Sequence, residues 1–216
     1  MKRIVEPEIL DTLSRQDPRA IRSRRDLRLI NLLMGNERWI LRKLKELNFL
    51  NSSSSLIELG AGDGKLCQGI VRASSGSRVT GMDLRERPAA CDERVSWVEG
   101  DIFESLPRTT GEVVVGSLIL HHFQADALQS LGNLLKTRRA VLFAEPYRAS
   151  WSLLEGYALW PLIGEVTKND MLVSIRAGFR RGELPALLGL DEAWHWEERV
   201  TSRGAIRILG RNPEMS

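Results

Sequence analysis

The stretch Leu56-Ile57-Glu58-Leu59-Gly60-Ala61-Gly62-Asp63-Gly64-Lys65-Leu66 decides the fold. A short apolar run suited to a buried strand leads into three glycines at alternate positions, and then into residues that start a helix. Alternating glycines let the backbone turn sharply and let a ligand approach it closely, while the first N–H groups of the helix beyond are free to face an anion. Two phosphate-binding loops of similar outline do not fit. A dinucleotide fingerprint needs a third glycine where Lys65 stands, and no Gly-Lys-Ser/Thr ending completes a nucleoside-triphosphate loop.

Two acids follow at regular distance. Val79-Thr80-Gly81-Met82-Asp83 reads as a second strand ending in a carboxylate, twenty-three residues after Gly60. A carboxylate there accepts both hydroxyls of a ribose, as in dinucleotide folds, or caps a helix. Val98-Glu99-Gly100-Asp101-Ile102 ends a third strand in the same way. The loop and the two acids, in this order, resemble the class I S-adenosylmethionine-dependent methyltransferases, whose first motif, Glu/Asp-x-Gly-x-Gly-x-Gly, is matched by Glu58 to Gly64.

That resemblance implies S-adenosyl-L-methionine as cofactor. It implies that Gly60, Ala61 and Gly62 pass under its methionine part, that Asp83 with Leu84 takes the ribose, and that Asp101 and Ile102 receive the adenine. Ser117, at the end of a fourth strand, would lie beside the transferring methyl group. Glu58 is expected to order the loop and to help hold the cofactor's ammonium group, and Asp63 to cap the helix.

Outward from this core the sequence alternates. β-rich runs at 56–59, 78–83, 95–99, 112–117 and 140–145 are separated by helical stretches near 65–73, 85–92 and 126–136. That rhythm predicts a parallel sheet covered on both faces. Runs at 194–200 and 205–209, split by Thr201-Ser202-Arg203-Gly204, predict an antiparallel hairpin on the sheet edge. The fold class is α/β, with a Rossmann-like, seven-stranded, mostly parallel sheet. Residues 1–50 read as a helical cap over the substrate side. One helix carries Ile21, Leu27, Ile30, Leu33 and Met34 and stops at Gly35; a second, capped by Asn36, carries Trp39, Ile40, Leu44 and Leu47. The serine run 51–55 reads as a linker to a catalytic domain over 51–216. Within it, 147–190 is an insertion with two further helices, one opened by Thr167-x-x-Asp170 and ended by Gly178, the next ended by Gly189.

The fourth strand runs into Leu118-Ile119-Leu120-His121-His122-Phe123. The Asn/Asp-Pro-Pro-aromatic tetrapeptide of enzymes methylating nucleobase or amide nitrogens is absent. The His-His-Phe ending is instead similar to small-molecule methyltransferases, including those of quinone biosynthesis. His121 or His122 is a candidate general base for a hydroxyl, or packs beneath the cofactor. A histidine metal site is disfavoured, because neighbouring residues diverge and no acidic partner is evident. Glu145, closing the fifth strand, either positions substrate or pairs with an arginine. Trp151, Tyr157, Trp160, Arg176 and Arg180 are candidates to line a pocket for a flat acceptor. Thr167 to Phe179 resembles small bacterial methyltransferases that accompany type III polyketide synthases, which implies a phenolic or quinone-like acceptor; methyl transfer to oxygen is the expected reaction, with carbon or nitrogen as the lesser alternative.

Composition sets the outer bounds. The 216 residues are 43% hydrophobic and 27% charged, which is globular. No apolar stretch approaches the ~20 residues of a membrane span. The start turns acidic at Glu6-Pro7-Glu8, where an export signal needs its apolar run. Cys67 and Cys91 are too few for a disulfide framework or a zinc module, so no metal is expected and the reducing cytoplasm is the expected compartment. Net charge is +5 over residues 1–50 and −2 over the remainder. The basic segment leaves open an RNA or protein methyltransferase docking through its N-terminal helices, and a third reading is a non-catalytic, cofactor-binding partner subunit. Composition does not address the oligomeric state.

Overall fold

A computed structural model describes residues 1–14, 16–51 and 53–215. Five parallel strands, β1 (Ser55–Leu59), β2 (Arg78–Asp83), β3 (Val95–Glu99), β4 (Val113–Ser117) and β5 (Ala140–Pro146), are extended by the antiparallel β6 (His195–Val200) and β7 (Ala205–Arg211). The spatial order is β3-β2-β1-β4-β5-β7-β6. This is the mostly parallel, seven-stranded sheet with a closing hairpin that the sequence predicts. Chain order reverses between β1 and β4, and a crevice opens at such a reversal beyond the carboxyl ends of the strands.

The period of two along each strand sorts the core into two layers. Leu56, Val79, Val95, Val113, Val115, Leu142 and Leu209 face one side, where α3 (Asn36–Glu46) and α4 (Lys65–Ala73) cover them with Trp39, Ile40, Leu44, Leu66 and Ile70. Ile57, Leu59, Met82, Val114, Val141, Phe143 and Ile208 face the other, under Ile102 of α5 (Ile102–Ser105), Leu128, Leu131 and Leu135 of α6 (Ala125–Leu135), and Leu184 and Leu188 of α9 (Glu183–Leu188). Each fully buried aliphatic side chain is worth ~1.5–3 kcal/mol. A third, small cluster joins Leu10 of α1 (Ile9–Thr12), Ala20 of α2 (Pro18–Met34) and Val166 of α8 (Glu165–Ala177). With α7 (Ser150–Leu159), these helices roof the carboxyl end of the sheet.

Several local expectations are corrected. No helix forms over 85–92: Pro88 interrupts it, Arg87 donates to the Asp92 carbonyl at 2.8 Å, and Trp97 Nε1 donates to the Arg85 carbonyl at 2.9 Å. Gly35, in the left-handed region at φ +66°, both ends α2 and precedes α3, so Asn36 is buried inside the helix rather than capping it. α8 starts after Gly164 rather than at Thr167, whose hydroxyl is buried against Asp26 at 3.0 Å and Ser23 at 3.1 Å. Asp63 does not cap α4; Gly64 occupies that position, and Asp63 pairs with Lys65 at 3.3 Å. The serine run is no free linker: Asn51 Oδ1 accepts from the Ser53 amide, Ser54 is buried, and Ser55 opens β1, while Ser52 lies outside the described residues. α3 packs into the sheet's own core, so residues 1–50 serve two layers rather than one cap.

Candidate active site

The glycine loop is built by backbone strain that only glycine tolerates easily. Gly60, Gly62 and Gly64 have φ of +64°, +53° and +72°. Ala61 donates to the Met82 carbonyl at 2.9 Å and Gly64 to Ala61 at 2.7 Å, so the loop folds across the end of β2. There the Asp83 carboxylate accepts from the Gly62 amide at 2.8 Å and from the Arg85 amide at 3.0 Å. A Cβ on Gly60 would stand 2.7 Å from Ile119, whereas at Gly62 nothing comes closer than 4.0 Å, leaving that face of the loop open.

One cavity of about 1000 Å³ spreads over this loop. Of the sequence-predicted cofactor residues, Gly60, Gly62, Asp83, Leu84, Asp101, Ile102 and Ser117 all line it. Glu58 and Ala61 do not. Strand alternation turns Glu58 away from the cavity toward α4, where its carboxylate accepts from the Cys67 amide at 2.9 Å; burial pushes its pKa up to about 8. It ties the loop's two flanks together instead of facing an ammonium group. Asp101 caps α5 through the Phe103 amide at 2.7 Å, with Ile102 and Phe103 beside it on the wall. The donor set fits S-adenosylmethionine: a carboxylate at a strand tip for a vicinal diol, an open glycine face for the amino-acid part, and a second acid with apolar neighbours for the adenine. A cavity of this volume also has room for an acceptor.

His121 and His122 line the same cavity. His121 is buried, with Nδ1 2.8 Å from Glu145 and Nε2 3.6 Å from Glu8. Burial opposes its charge, but the hydrogen bonds to Glu145 and Glu8 outweigh that and raise its pKa to about 9. It therefore already carries a proton at neutral pH. His122 is half-buried; burial and then the neighbouring His121 charge lower its pKa, which leaves it neutral and able to accept a proton. Glu145 does not line the cavity, and among the described residues no arginine forms an ion pair with it. It is fully buried and accepts from the amides of Ile119 at 3.0 Å, Leu120 at 2.9 Å and His121 at 3.3 Å, so it fixes the turn that carries the histidines.

Sequence reasoning missed Glu8 and Asp11, both on the cavity wall. The N-terminal segment reaches the site through Arg3, which donates to the carbonyls of Ala177 and Phe123 at 2.8 Å each and lies over the Phe179 ring. Asp170 of α8 accepts from the Ile9 and Leu10 amides at 2.8 and 3.0 Å and so caps α1. The aromatic wall expected from the insertion is a different one. Trp151, Tyr157 and Trp160 point outward, and the insertion lines the cavity with Gly156, Leu159, Met171 and Ile175, opposite Leu27, Ile30 and Met34 of α2. Arg176 and Arg180 do not line it either. No helix among the described residues is long and apolar enough to cross a membrane.

No curated protein matches the chain in sequence. Among solved structures it is similar to the pyocyanin biosynthetic protein PhzM, at 22% identity and a TM-score of 0.61, covering 95% of this chain but 62% of that one. The plantazolicin methyltransferase BamL, solved with S-adenosylhomocysteine and a desmethyl-plantazolicin analogue, superposes at a TM-score of 0.69 and 10% identity, covering 94% of this chain and 92% of that one. Human N-acetylserotonin methyltransferase, solved with S-adenosylmethionine, gives 0.58 and 16%, covering 94% and 61%. Residues 20–144 match the O-methyltransferase domain family, so the chain belongs to that family, within the class I S-adenosylmethionine-dependent methyltransferases.

Proposed function

We propose that the protein transfers a methyl group to the hydroxyl oxygen of a small, flat, apolar acceptor of the phenolic or quinone-like class. The observation that carries this reading is a single cavity with two unlike walls. One is a glycine loop with carboxylates Asp83 and Asp101; the other is aliphatic, made by α2, α7 and α8, with His121, His122, Glu8 and Asp11 where they meet. When bound, S-adenosylmethionine supplies a methyl group on a sulfonium, already reactive without activation by the protein. The chain's work is then positioning: the loop and Asp83 hold one reactant, the aliphatic wall orients the other and excludes water, and holding both at near-attack distance removes most of the barrier. The polar cluster at the junction faces the acceptor hydroxyl and handles its proton. Neighbours described as acting in pyocyanin biosynthesis or on N-acetylserotonin favour a small acceptor over a polymer.

Calorimetry with S-adenosylmethionine, followed by turnover with a panel of phenols and hydroxyquinones, tests it. Heat of binding and a methyl ether product are expected. Absence of heat removes the reading; heat without turnover on any hydroxyl acceptor favours a cofactor-binding partner subunit; and turnover on RNA alone assigns the basic N-terminal helices to docking.

A further inference from the structure

The aliphatic wall of the cavity has a polar end. α2 brings Asn31 to it, and α7 brings Ser152 and Glu155, which stand three residues apart and so share one face of the helix. The turn between β6 and β7 closes the group. A Cβ on Gly204 would stand 3.4 Å from a carboxylate oxygen of Glu155 and 3.9 Å from the Ser152 hydroxyl. The neighbouring Arg203 donates to the Leu33 carbonyl, which ties the same turn to the end of α2.

Elsewhere on the cavity wall the acids are satisfied. Asp83 accepts from two amides, Asp101 from the Phe103 amide and Glu8 from the Ser174 hydroxyl. At the polar end the reverse holds: Asn31 Oδ1, Ser152 Oγ and Glu155 Oε2 are buried atoms with no hydrogen-bond partner among the described residues. Ser152 as a whole is only 2% exposed. An unpaired buried acceptor costs ~1–3 kcal/mol, and buried polar groups in folded proteins nearly always find a partner. All three side chains line the cavity, which is the remaining source of one. A change of staggered rotamer turns each oxygen toward it.

We propose that the acceptor carries a second hydrogen-bond-donating group, a hydroxyl or an N–H, at the end remote from its methylated oxygen, and that Asn31, Ser152 and Glu155 receive it. Which end reacts rests on the methyl-transfer reading; recognition of the donor does not. The amide oxygen and the carboxylate only accept, so the site selects a donor over a carbonyl, a methoxy group or an unsubstituted ring. The sheet sets the spacing. The reacting end lies at the tip of β4, where Ser117 and the histidine turn line the cavity, whereas Gly204 leads into β7. β4 pairs with β5 and β5 with β7, so two strand spacings separate the ends, about 10 Å. The acceptor is therefore an extended aromatic molecule with a donor at each end.

The test compares para-hydroxybiphenyl with para,para′-dihydroxybiphenyl, whose oxygens are comparably far apart, by calorimetry on the full chain loaded with S-adenosylhomocysteine. The diol is expected to bind ~30-fold more tightly, as a hydrogen bond to a charged group allows. Phenol and hydroquinone, whose second hydroxyl falls short, should bind alike. In Ser152→Ala and in Glu155→Ala the preference for the diol should fall to ~3-fold or less, with S-adenosylhomocysteine affinity kept as the check on folding. The melting temperature of unliganded Ser152→Ala should hold or rise, because an unpaired buried group is removed; a fall marks Ser152 as structural and overturns its part in recognition. Equal binding of the two biphenyls, or a preference undiminished in both variants, overturns the polar end. If the diol is preferred and no methyl ether forms from it, the methyl-transfer reading falls and the polar end stands. If both biphenyls bind alike and both are methylated, the reverse holds.

Discussion

The two walls of the cavity are made in opposite ways. The sheet wall comes from consecutive residues, Gly60 to Gly62, and from carboxylates at strand tips, and the groups that hold it in place are amides of the same loops. The helical wall is gathered from three separated segments, α2, α7 and α8, and locked by bonds between residues far apart in sequence, such as Asp26 to the Gly164 amide at 2.7 Å and Asp170 to Ile9. A ligand common to a family is met by local backbone geometry, while the part that distinguishes one acceptor from another depends on tertiary assembly. Substitutions on the sheet wall are expected to change cofactor affinity, and those on the helical wall to change acceptor KM.

The largest effect is expected behind the sheet wall. Glu145→Ala leaves the Ile119, Leu120 and His121 amides and the His121 ring without their buried acceptor. Removing one member of a buried charged network costs ~3–5 kcal/mol. Urea unfolding should show that loss, with a smaller one for Glu145→Gln, and a loss under ~1 kcal/mol would mean the turn is held by other contacts.

Asp83→Ala comes next. It removes the acceptor for the Gly62 and Arg85 amides and the carboxylate offered to the ribose. Hydrogen bonds to a charged group are each worth ~1.5–3 kcal/mol. S-adenosylhomocysteine should therefore bind ~100-fold more weakly by calorimetry, and a change under threefold would detach the sheet wall from the cofactor. On the helical wall, Ile30→Ala and Met171→Ala, both only partly buried, should raise acceptor KM ~3–10-fold and leave S-adenosylhomocysteine affinity alone, the value of one to two methylenes of lost contact at ~0.8 kcal/mol each. Trp151→Ala, on the outward face of α7, should change neither. If Trp151→Ala raises KM as much as Ile30→Ala, the division between the lining and the outer face is wrong.

The same contrast decides what was legible in the sequence. Period-two burial and the glycine loop are local signals, so the strands, their order of chemistry and seven cavity residues could be read directly. α2 misleads because its apolar spacing is real but Ile21 points to solvent, while its buried positions are Ala20, Ser23 and Asp26, of which Ser23 and Asp26 accept from Thr167 of α8. Polar side chains at the interface invert the usual pattern, and nothing within one helix reveals their partner. Glu8 was visible only as an acid that argues against an export signal. Its place against His121 depends on a carboxylate 162 residues away, Asp170, capping α1. Trp151, Tyr157 and Trp160 were misplaced for a related reason: α7 is apolar on more than one face, so its composition does not say which face turns inward.

The smallest effect tests Glu58, which with Ala61 is one of the two predicted cofactor residues that do not line the cavity. Glu58 is buried with a folded-state pKa near 8, against an unfolded value near 4.3. The native state therefore holds its proton more tightly than the unfolded chain, so the contribution to stability is full below pH ~4 and is lost as pH rises through about 8. His121, raised to about 9, adds a loss in the same direction at slightly higher pH. Glu58→Gln keeps an acceptor for the Cys67 amide but cannot ionise. Comparing the variant with the unaltered protein cancels the His121 contribution, because that residue is common to both. Melting temperatures measured from pH 4 to 9 should converge at the acid end and favour Glu58→Gln increasingly up to about pH 8. A gap that stays constant across the range would mean that Glu58 is already ionised in its pocket, in which case an ammonium group of the cofactor becomes a partner for it after all.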